Sequence, residues 1–410
     1  MDKEKIGVAL CGLGGRGMYH LNMMLSSMPY VNIAALCEVY ADRLESGADT
    51  VRKARGTETN CTQDFDELLA HKDDWGIDCI IIASSWITHI DMCIKSMKAG
   101  IPVGSEVGGA HTVEACWDLV RTYEQTRTPV MLLENCCYGK EELTVLNMVR
   151  KGVFGETVHA EGGYQHDLRD EVALGHVNRH YRLEEYMHRN GEIYPTHELG
   201  PIAKWLDINR GNRMLTLTSM ASKARGVNDW ILRNRGDAFE NASFPFTQGD
   251  VVNTLIKCAR GETIALTHDT TLPRPYSRGG RLQGTHAIWC EDKHGVHVEG
   301  RTVDTGWSHS WEDISDYYEE YLPELWKNYI KQGVVPGHDG IDYLVFSAFF
   351  ESIRRSLPMP IDVYDMAAWM VITPLSEQSI ALGSTPVPIP DFTSGQWMYR
   401  KNERVNEYSL

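Results

Sequence analysis

The stretch that decides the fold of this chain is Ile6-Gly-Val-Ala-Leu-Cys-Gly-Leu-Gly-Gly-Arg-Gly17. Its first six residues are almost entirely apolar and predict a buried strand. A glycine-rich turn follows, made of Gly12, Leu13, Gly14, Gly15, Arg16 and Gly17. Glycines let the backbone approach a pyrophosphate closely, and the unpaired N–H groups at a helix start attract its charge. The pattern predicts a dinucleotide-binding turn between the first strand and the first helix.

The acid that follows the second strand indicates which dinucleotide the turn accepts. This strand is predicted over Val31–Cys37 and ends at Glu38, which lies 21 residues after Gly17. A carboxylate at this place accepts hydrogen bonds from the ribose 2′-hydroxyl and repels a 2′-phosphate. We therefore expect NAD rather than NADP, with Arg16 in the turn weakening that preference in part.

Strands and helices alternate as far as residue 134, which is typical of βαβ units and a parallel sheet. After Asn135, strand-like runs follow one another with few helices between them, which favours an antiparallel sheet open on one face. The predicted fold class is α/β, with an N-terminal Rossmann domain and an α+β C-terminal domain. The expected bounds are 1–134 for the NAD-binding domain, 135–385 for the substrate-binding domain and 386–410 for a C-terminal tail.

The composition of the chain argues against several classes of binding partner. The 410 residues carry 40 basic and 56 acidic side chains, a net charge of −16, which disfavours nucleic acid and anionic membranes. The apolar run Cys79–Ala83 is too short to span a bilayer. The N-terminus lacks a signal peptide, so we expect a cytoplasmic protein, or a periplasmic or secreted one if an export signal has been removed.

Three further segments lie at the carboxyl ends of predicted strands, where a Rossmann domain binds its ligand. They are Ser84–His89, Glu106–Ala110 and the pair Glu134-Asn135. We expect each of them to reach the nicotinamide half of the cofactor. For any single residue, a helix cap or a packing contact is the alternative.

With these segments, the chain resembles the glucose-fructose oxidoreductase/inositol dehydrogenase superfamily (Gfo/Idh/MocA) over essentially its whole length. Dehydrogenases of that superfamily have Glu-Lys-Pro where this chain has Glu106-Val107-Gly108. They also have an Asp-x-x-x-His-x-x-Asp motif, of which His197 is the part retained here. The missing lysine argues against a simple alcohol dehydrogenase, since that residue relays the alcohol proton.

Longer strings resemble a narrower branch, glycoside hydrolase family 109. They are Gly14–Gly17, Glu106-Val107, Gly191–Pro201, Trp205–Arg213 and His268–Thr271. The resemblance implies an NAD site lined, beside the glycine turn, by Glu38, Trp86, Thr88, His89, Glu106, Val107, Asn135 and Arg182. It further implies that Tyr164 and Tyr276 contact the sugar and that Tyr194–His197 lie between nicotinamide and substrate.

The activity implied by this resemblance is NAD-dependent hydrolysis of terminal α-N-acetylgalactosamine. In such a reaction the sugar is oxidised at C3, loses its C2 proton and its leaving group, adds water at C1 and is reduced again. His197, Tyr194 and Tyr164 are the expected proton-transfer residues, and an imidazole titrates near neutral pH. Either tyrosine would act as a base only with a lowered pKa.

Two alternatives stay open at this point: an NAD-dependent sugar or cyclitol oxidoreductase, and a non-catalytic sensor. The spacing of the histidines and cysteines predicts no metal site. The expected partner is a small-molecule glycoside, and a homo-oligomer through the open sheet is a further expectation.

Overall fold

The structure is a computed structural model and describes residues 5–304 and 306–410. Within these residues the first sheet has six strands, and every neighbouring pair is parallel. They are β1 (Ile6–Cys11), β2 (Val31–Cys37), β3 (Asn60–Thr62), β4 (Cys79–Ile82), β5 (Val103–Ser105) and β6 (Val130–Leu132). The spatial order is β3-β2-β1-β4-β5-β6, so the chain changes direction across the sheet between β1 and β4. A ligand crevice forms at such a point, outside the carboxyl ends of the strands.

The helices that connect these strands are α1 (Gly15–Ser27), α2 (Ala41–Arg55), α3 (Phe65–Ala70), α4 (Trp86–Lys98) and α5 (Val113–Thr126). All residues of β1 and β4 are buried. A strand covered on both faces must be apolar along its whole length, which explains the uninterrupted apolar sequences of these two strands. The predicted parallel Rossmann sheet is confirmed.

A nine-stranded sheet follows in the described part of the chain. Its strands are β7 (Thr157–Gln165), β8 (Met214–Ala221), β9 (Val251–Cys258), β10 (Thr263–Asp269), β11 (Arg281–Gly284), β12 (Ala287–Cys290), β13 (Gly295–Val298), β14 (Glu312–Asp313) and β15 (Val387–Pro388). Their order is β14-β13-β12-β11-β7-β10-β9-β8-β15. The β7–β10 pair is parallel, and the other neighbours are antiparallel. The predicted mostly antiparallel sheet is confirmed.

One face of this second sheet is covered and the other is open. Helix α10 packs on β7 and α16 on β8, whereas β9 alternates buried and exposed residues. The helices of this half are α6 (Lys140–Arg150), α7 (Arg169–Ala173), α8 (Gly175–Asn178), α9 (Arg182–His188), α10 (Thr196–Trp205), α11 (Gly226–Asn234), α12 (Tyr318–Tyr321), α13 (Glu324–Gln332), α14 (Ile341–Arg354), α15 (Val363–Met370) and α16 (Ile372–Ala381).

Residues 386–410 pack on both halves of the molecule. Strand β15 pairs with β8, and the ring of Phe392 lies 4.7 Å from that of Trp117 on α5. Leu410 is buried. The domain boundaries at 134 and 385 stay predictions, but the last segment is an integral part of the structure.

Within residues 5–304 and 306–410, none of the helices combines the length and the apolar character that crossing a membrane requires. The N-terminal segment 1–4, on which the expected localisation partly depends, lies outside the described residues. The compartment therefore stays a prediction.

Candidate active site

The glycine turn has a geometry that its own residues impose. Gly12 has a φ of 91°, and a Cβ at this position would lie 2.6 Å from the backbone of Ala83. A Cβ on Gly17 would lie 1.9 Å from the carbonyl oxygen of Gly12. A Cβ on Gly15, by contrast, would have no atom within 4 Å. The space over the start of α1 is therefore open, and it suits a pyrophosphate bound to backbone N–H groups.

Glu38 is fixed beside this turn at the end of β2. Its buried carboxylate accepts hydrogen bonds from the backbone N–H groups of Leu13 at 2.7 Å and Tyr40 at 3.0 Å. The turn and the acid thus form one unit at the crevice. This is the relation that a ribose contact requires.

Arg16 extends to the other side of β1, away from Glu38. Its Nε donates to Glu106 Oε1 at 3.0 Å and its Nη2 to Asp342 Oδ1 at 2.6 Å. Glu106 follows β5, which is separated from β2 by β1 and β4. The guanidinium is therefore engaged by two carboxylates, and the expectation that Arg16 weakens the preference for NAD is wrong.

The segment after β4 brings Trp86 to the centre of the site. Thr88 and His89 hold this segment, since Thr88 Oγ1 donates to the Ser85 carbonyl at 2.8 Å and His89 Nε2 bonds the Ser84 carbonyl at 3.0 Å. The Trp86 ring stacks on that of Tyr194, with centroids 5.2 Å apart.

The departure from Glu-Lys-Pro has a structural reason. A Cβ on Gly108 would lie 2.5 Å from the Trp86 ring, so a proline at this position would collide with the tryptophan. Val107 is buried, and its N–H donates to Glu106 Oε2 at 3.3 Å. The position of the Trp86 ring therefore requires a glycine at position 108.

Four of the predicted residues meet in one cluster. Tyr164 lies on β7, Tyr194 precedes α10, and His197 lies in the first turn of α10. The ring centroid of Tyr164 lies 4.5 Å from that of Tyr194 and 5.5 Å from that of His197. The Arg182 guanidinium lies 5.9 Å and 5.6 Å from the two tyrosine rings and forms an ion pair with Glu171. The structure thus brings together residues that are separated by up to 33 positions in the sequence.

His197 is held between two partners. Its Nδ1 lies 2.8 Å from Glu134 Oε1, and its Nε2 lies 3.2 Å from the Tyr194 hydroxyl. A carboxylate oxygen accepts, so we assign the ring proton to Nδ1, and the lone pair at Nε2 accepts from the Tyr194 hydroxyl. Glu134 is fully buried and orients the imidazole towards Tyr194. An acid that fixes the tautomer in this way is typical of proton-transfer sites.

The two phenols have raised pKa values. Burial raises the pKa of Tyr194 well above its usual value and raises that of Tyr164, although Arg182 acts in the opposite direction on both. At neutral pH both hydroxyls keep their protons and act as hydrogen-bond donors. The condition under which a tyrosine would act as a base, a lowered pKa, is not met.

Tyr276 lies at the outer edge of the cluster. Its side chain is about half exposed, and its ring centroid lies 6.3 Å from that of Tyr164 and 5.1 Å from that of His166. The His166 ring in turn bonds the Tyr164 hydroxyl at 3.1 Å. Tyr276 is therefore at the solvent side of the site.

Comparison with known proteins identifies both halves of the chain. Residues 6–133 match the family described as "Oxidoreductase family, NAD-binding Rossmann fold". Residues 138–399 match "Glycosyl hydrolase 109, C-terminal domain". The chain belongs to glycosyl hydrolase family 109. Its N-terminal half is an NAD-binding domain, in agreement with the prediction from the glycine turn.

Relatives of this family 109 protein cover nearly all of it. An alpha-N-acetylgalactosaminidase of Tannerella forsythia is 41% identical over 95% of this chain and 86% of the relative. A family 109 protein of Parabacteroides distasonis is 39% identical over 98% and 89%. Among solved structures, scyllo-inositol dehydrogenase of Lactobacillus casei with NAD(H) and scyllo-inositol bound has a TM-score of 0.64 at 14% identity, covering 94% of this chain and 99% of its own. That last likeness confirms the fold.

One group in this family 109 protein could be mistaken for a metal site. Ligand atoms of Glu134, Cys136 and His197 lie within 4.8 Å of one another. The Arg278 guanidinium, however, lies 3.3 Å from Cys136 Sγ, and burial raises the pKa of that thiol. A cation and a protonated thiol both disfavour a metal ion there. The expectation that the site holds no metal stays a prediction.

Two contributions to the site were not predicted from the sequence. Glu134 was expected to contact the cofactor, and its bond to His197 was not foreseen. Asp342, which contacts Arg16 and Asn135, was missed altogether. The only feature of the sequence that distinguishes Asp342 is its place just before an almost wholly apolar helical stretch, Leu344–Phe350. Such an acid also suits a helix start, so it predicts nothing about the cofactor.

Proposed function

We propose that this enzyme hydrolyses terminal α-linked N-acetylgalactosamine by transient oxidation of the sugar. The observation that carries the proposal is the contact between Trp86 of the NAD-binding half and the Tyr164–Tyr194–His197 cluster of the other half. Proton-transfer groups and the cofactor crevice thus share one site. The names of the relatives support this substrate, since they include two proteins called alpha-N-acetylgalactosaminidase.

The residues present fit NAD, through the open space over Gly15 and the placement of Glu38. When bound there, NAD supplies a reversible two-electron oxidation of a sugar hydroxyl to a ketone. The ketone at C3 acidifies the C2 hydrogen, so that a base can remove it and the bond from C1 to the leaving oxygen can break. Addition of water at C1 and reduction of the ketone complete the hydrolysis with no net redox change.

We assign the removal of the proton from C2 of the sugar to His197. Its Nε2 carries a lone pair, which becomes free when the Tyr194 hydroxyl donates to the substrate instead, and Glu134 stabilises the imidazolium that forms when the proton is taken up. Tyr164 and Tyr194, whose phenols stay protonated, donate hydrogen bonds to the oxygen of the ketone. Such donors stabilise the charge that develops on this oxygen when the C2 proton leaves.

The positions of the remaining residues support the cofactor-lining and sugar-contacting roles that we propose for them. Glu106 and Asn135 follow β5 and β6, Arg16 lies in the first turn of α1, and we place all three on the nicotinamide side of the crevice. Arg182 lies over Trp86, Tyr164 and Tyr194, so we place it between the cofactor and the sugar. Tyr276 packs at the entrance to the site and contacts the sugar from the solvent side.

The test is a panel of nitrophenyl glycosides offered to the purified protein without added cofactor, with NAD content measured on the same sample. We expect release of nitrophenol from the α-N-acetylgalactosaminide and, in deuterated water, deuterium at C2 of the product. Cleavage with an unlabelled C2 would contradict the elimination route. Accumulation of NADH with a free sugar, without cleavage, would instead indicate a sugar or cyclitol oxidoreductase, and binding without turnover a sensor.

We also propose that the open sheet face joins two copies of the enzyme. Met220 on β8 and Leu255 on β9 lie on this face and are 65% and 58% exposed. Exposed apolar side chains on neighbouring strands favour association. Replacing both by lysine is expected to shift a dimer to a monomer in sedimentation velocity, with the melting temperature retained. A wild-type protein that sediments as a monomer at all concentrations contradicts this proposal.

A further inference from the structure

Asp342 is a buried acid at the start of α14, far in the sequence from the cofactor turn, yet it contacts the residues expected to line NAD. One of its oxygens accepts from Arg16 Nη2 at 2.6 Å and from Asn135 Nδ2 at 2.8 Å. The other accepts from Arg16 Nη1 at 3.0 Å and bonds His338 Nδ1 at 2.7 Å. The side chain is fully buried, and its carboxylate is held by Arg16, Asn135 and His338.

The same network continues to Glu106. Arg16 lies between the carboxylates of Asp342 and Glu106, and His20 Nε2 lies 2.5 Å from Glu106 Oε1. Burial alone would raise the pKa of each acid. Arg16, with His20 beside Glu106 and His338 beside Asp342, outweighs burial and lowers the pKa of Glu106 to about 2 and that of Asp342 well below its usual range. Both acids are therefore ionised at neutral pH, with one guanidinium between them.

This arrangement fixes three groups at the carboxyl ends of three different strands. Arg16 follows β1, Glu106 follows β5, and Asn135 follows β6. Pairing between the strands fixes the backbone but does not set the relative positions of these three side chains, because they extend into the crevice. The carboxylate of Asp342 holds Arg16 and Asn135 together, and Arg16 in turn contacts Glu106.

We propose that Asp342 is a positioning residue that sets the affinity for NAD by holding Arg16 and Asn135 in place. The proposal rests on the proposed placement of these residues beside NAD. It implies that the C-terminal half of the chain helps to bind the cofactor through α14. A misplaced contact group weakens binding or catalysis by up to about 100-fold.

The test compares Asp342→Asn with Asp365→Asn. Asp365 is an equally buried acid, with ion pairs to Lys204 and Arg210 at 2.7 Å, and it lies outside the cofactor crevice. Both variants lose a buried charge, and we expect both to melt at a lower temperature. We expect the dissociation constant for NAD, measured by calorimetry on the cofactor-free protein, to rise about 10- to 100-fold in Asp342→Asn only.

A kinetic readout separates positioning from general damage. At saturating NAD, kcat of Asp342→Asn should stay within about tenfold of the wild type, because Glu134, His197 and Tyr194 are not in contact with Asp342. If Asp342→Asn fails to fold, His338→Ala becomes the test variant. The His338 side chain is 58% exposed, and its removal takes one hydrogen-bond partner from Asp342. We expect a weakening of NAD binding by about threefold there.

Two results would overturn the proposal. One is unchanged NAD affinity in folded Asp342→Asn, or in His338→Ala if the first variant does not fold. The other is an equal loss of affinity in Asp365→Asn. Failure of the wild-type protein to bind NAD at all would contradict the function proposed above, and the two failures are therefore distinct.

Discussion

Replacement of His197 by asparagine is expected to lower kcat on the α-glycoside by about 10²- to 10⁴-fold, the usual contribution of a general acid–base residue. An amide cannot accept and release a proton near neutral pH, but at the position of Nδ1 it can keep the polar contact to Glu134, whereas the contact from Nε2 to Tyr194 is lost. NAD content, measured after denaturation, should stay close to that of the wild type. The measurement is initial-rate kinetics on the nitrophenyl substrate at several pH values.

The control is Glu134→Gln, which leaves the imidazole in place and changes the ring nitrogen that carries its proton. A glutamine amide that donates to Nδ1 would move the ring proton to Nε2, the atom that must be free to accept. We expect kcat to fall by about 10²- to 10⁴-fold, no more than in His197→Asn. If His197→Asn keeps kcat within tenfold of the wild type, His197 is not the base, and His166, bonded to Tyr164, becomes the candidate.

The parts of the site that could be predicted are those encoded by adjacent residues. The glycine turn and Glu38 follow a short pattern in which each residue has a local reason, and the structure places them as expected. The Tyr164, Tyr194 and His197 cluster came from the resemblance, because no local pattern relates β7 to the start of α10. Asp342 reaches Asn135 from 207 positions away, and a buried ion pair of this kind leaves no periodicity in the sequence.

The fold shows the same limit. The apolar pattern over 365–382 is typical of one continuous helix, but the structure has two helices, α15 and α16, which meet at Val371. Pro374 lacks an N–H and so cannot bond the carbonyl of Met370 one turn earlier. Helix α13 has the opposite relation to its sequence, since Leu325, Trp326 and Tyr329 form a buried side at helical spacing. The helix break at Val371 is thus hidden by an apolar pattern that continues across it, whereas α13 is visible in its local pattern.

The second large effect concerns Gly17 and Gly15, which differ in what a methyl group would meet. In Gly17→Ala the new Cβ would lie 1.9 Å from the Gly12 carbonyl oxygen, a backbone atom that cannot rotate away. The turn must then open, since overpacking against a fixed backbone is strongly unfavourable. We expect a lower melting temperature of the cofactor-free protein and at least about 100-fold weaker NAD binding, measured by calorimetric titration.

Gly15→Ala is the matched control, because its Cβ would have no atom within 4 Å in the described structure. The cofactor-free variant should melt at or slightly above the wild-type temperature, since alanine is the better helix former. Its NAD affinity should nevertheless fall by about tenfold, because the methyl group occupies space that the pyrophosphate needs. A Gly15→Ala variant that binds NAD as tightly as the wild type would show that this space is not the cofactor's. In that case the close approach of the backbone to the phosphates must lie at Gly14, on the side of the turn that faces Arg43.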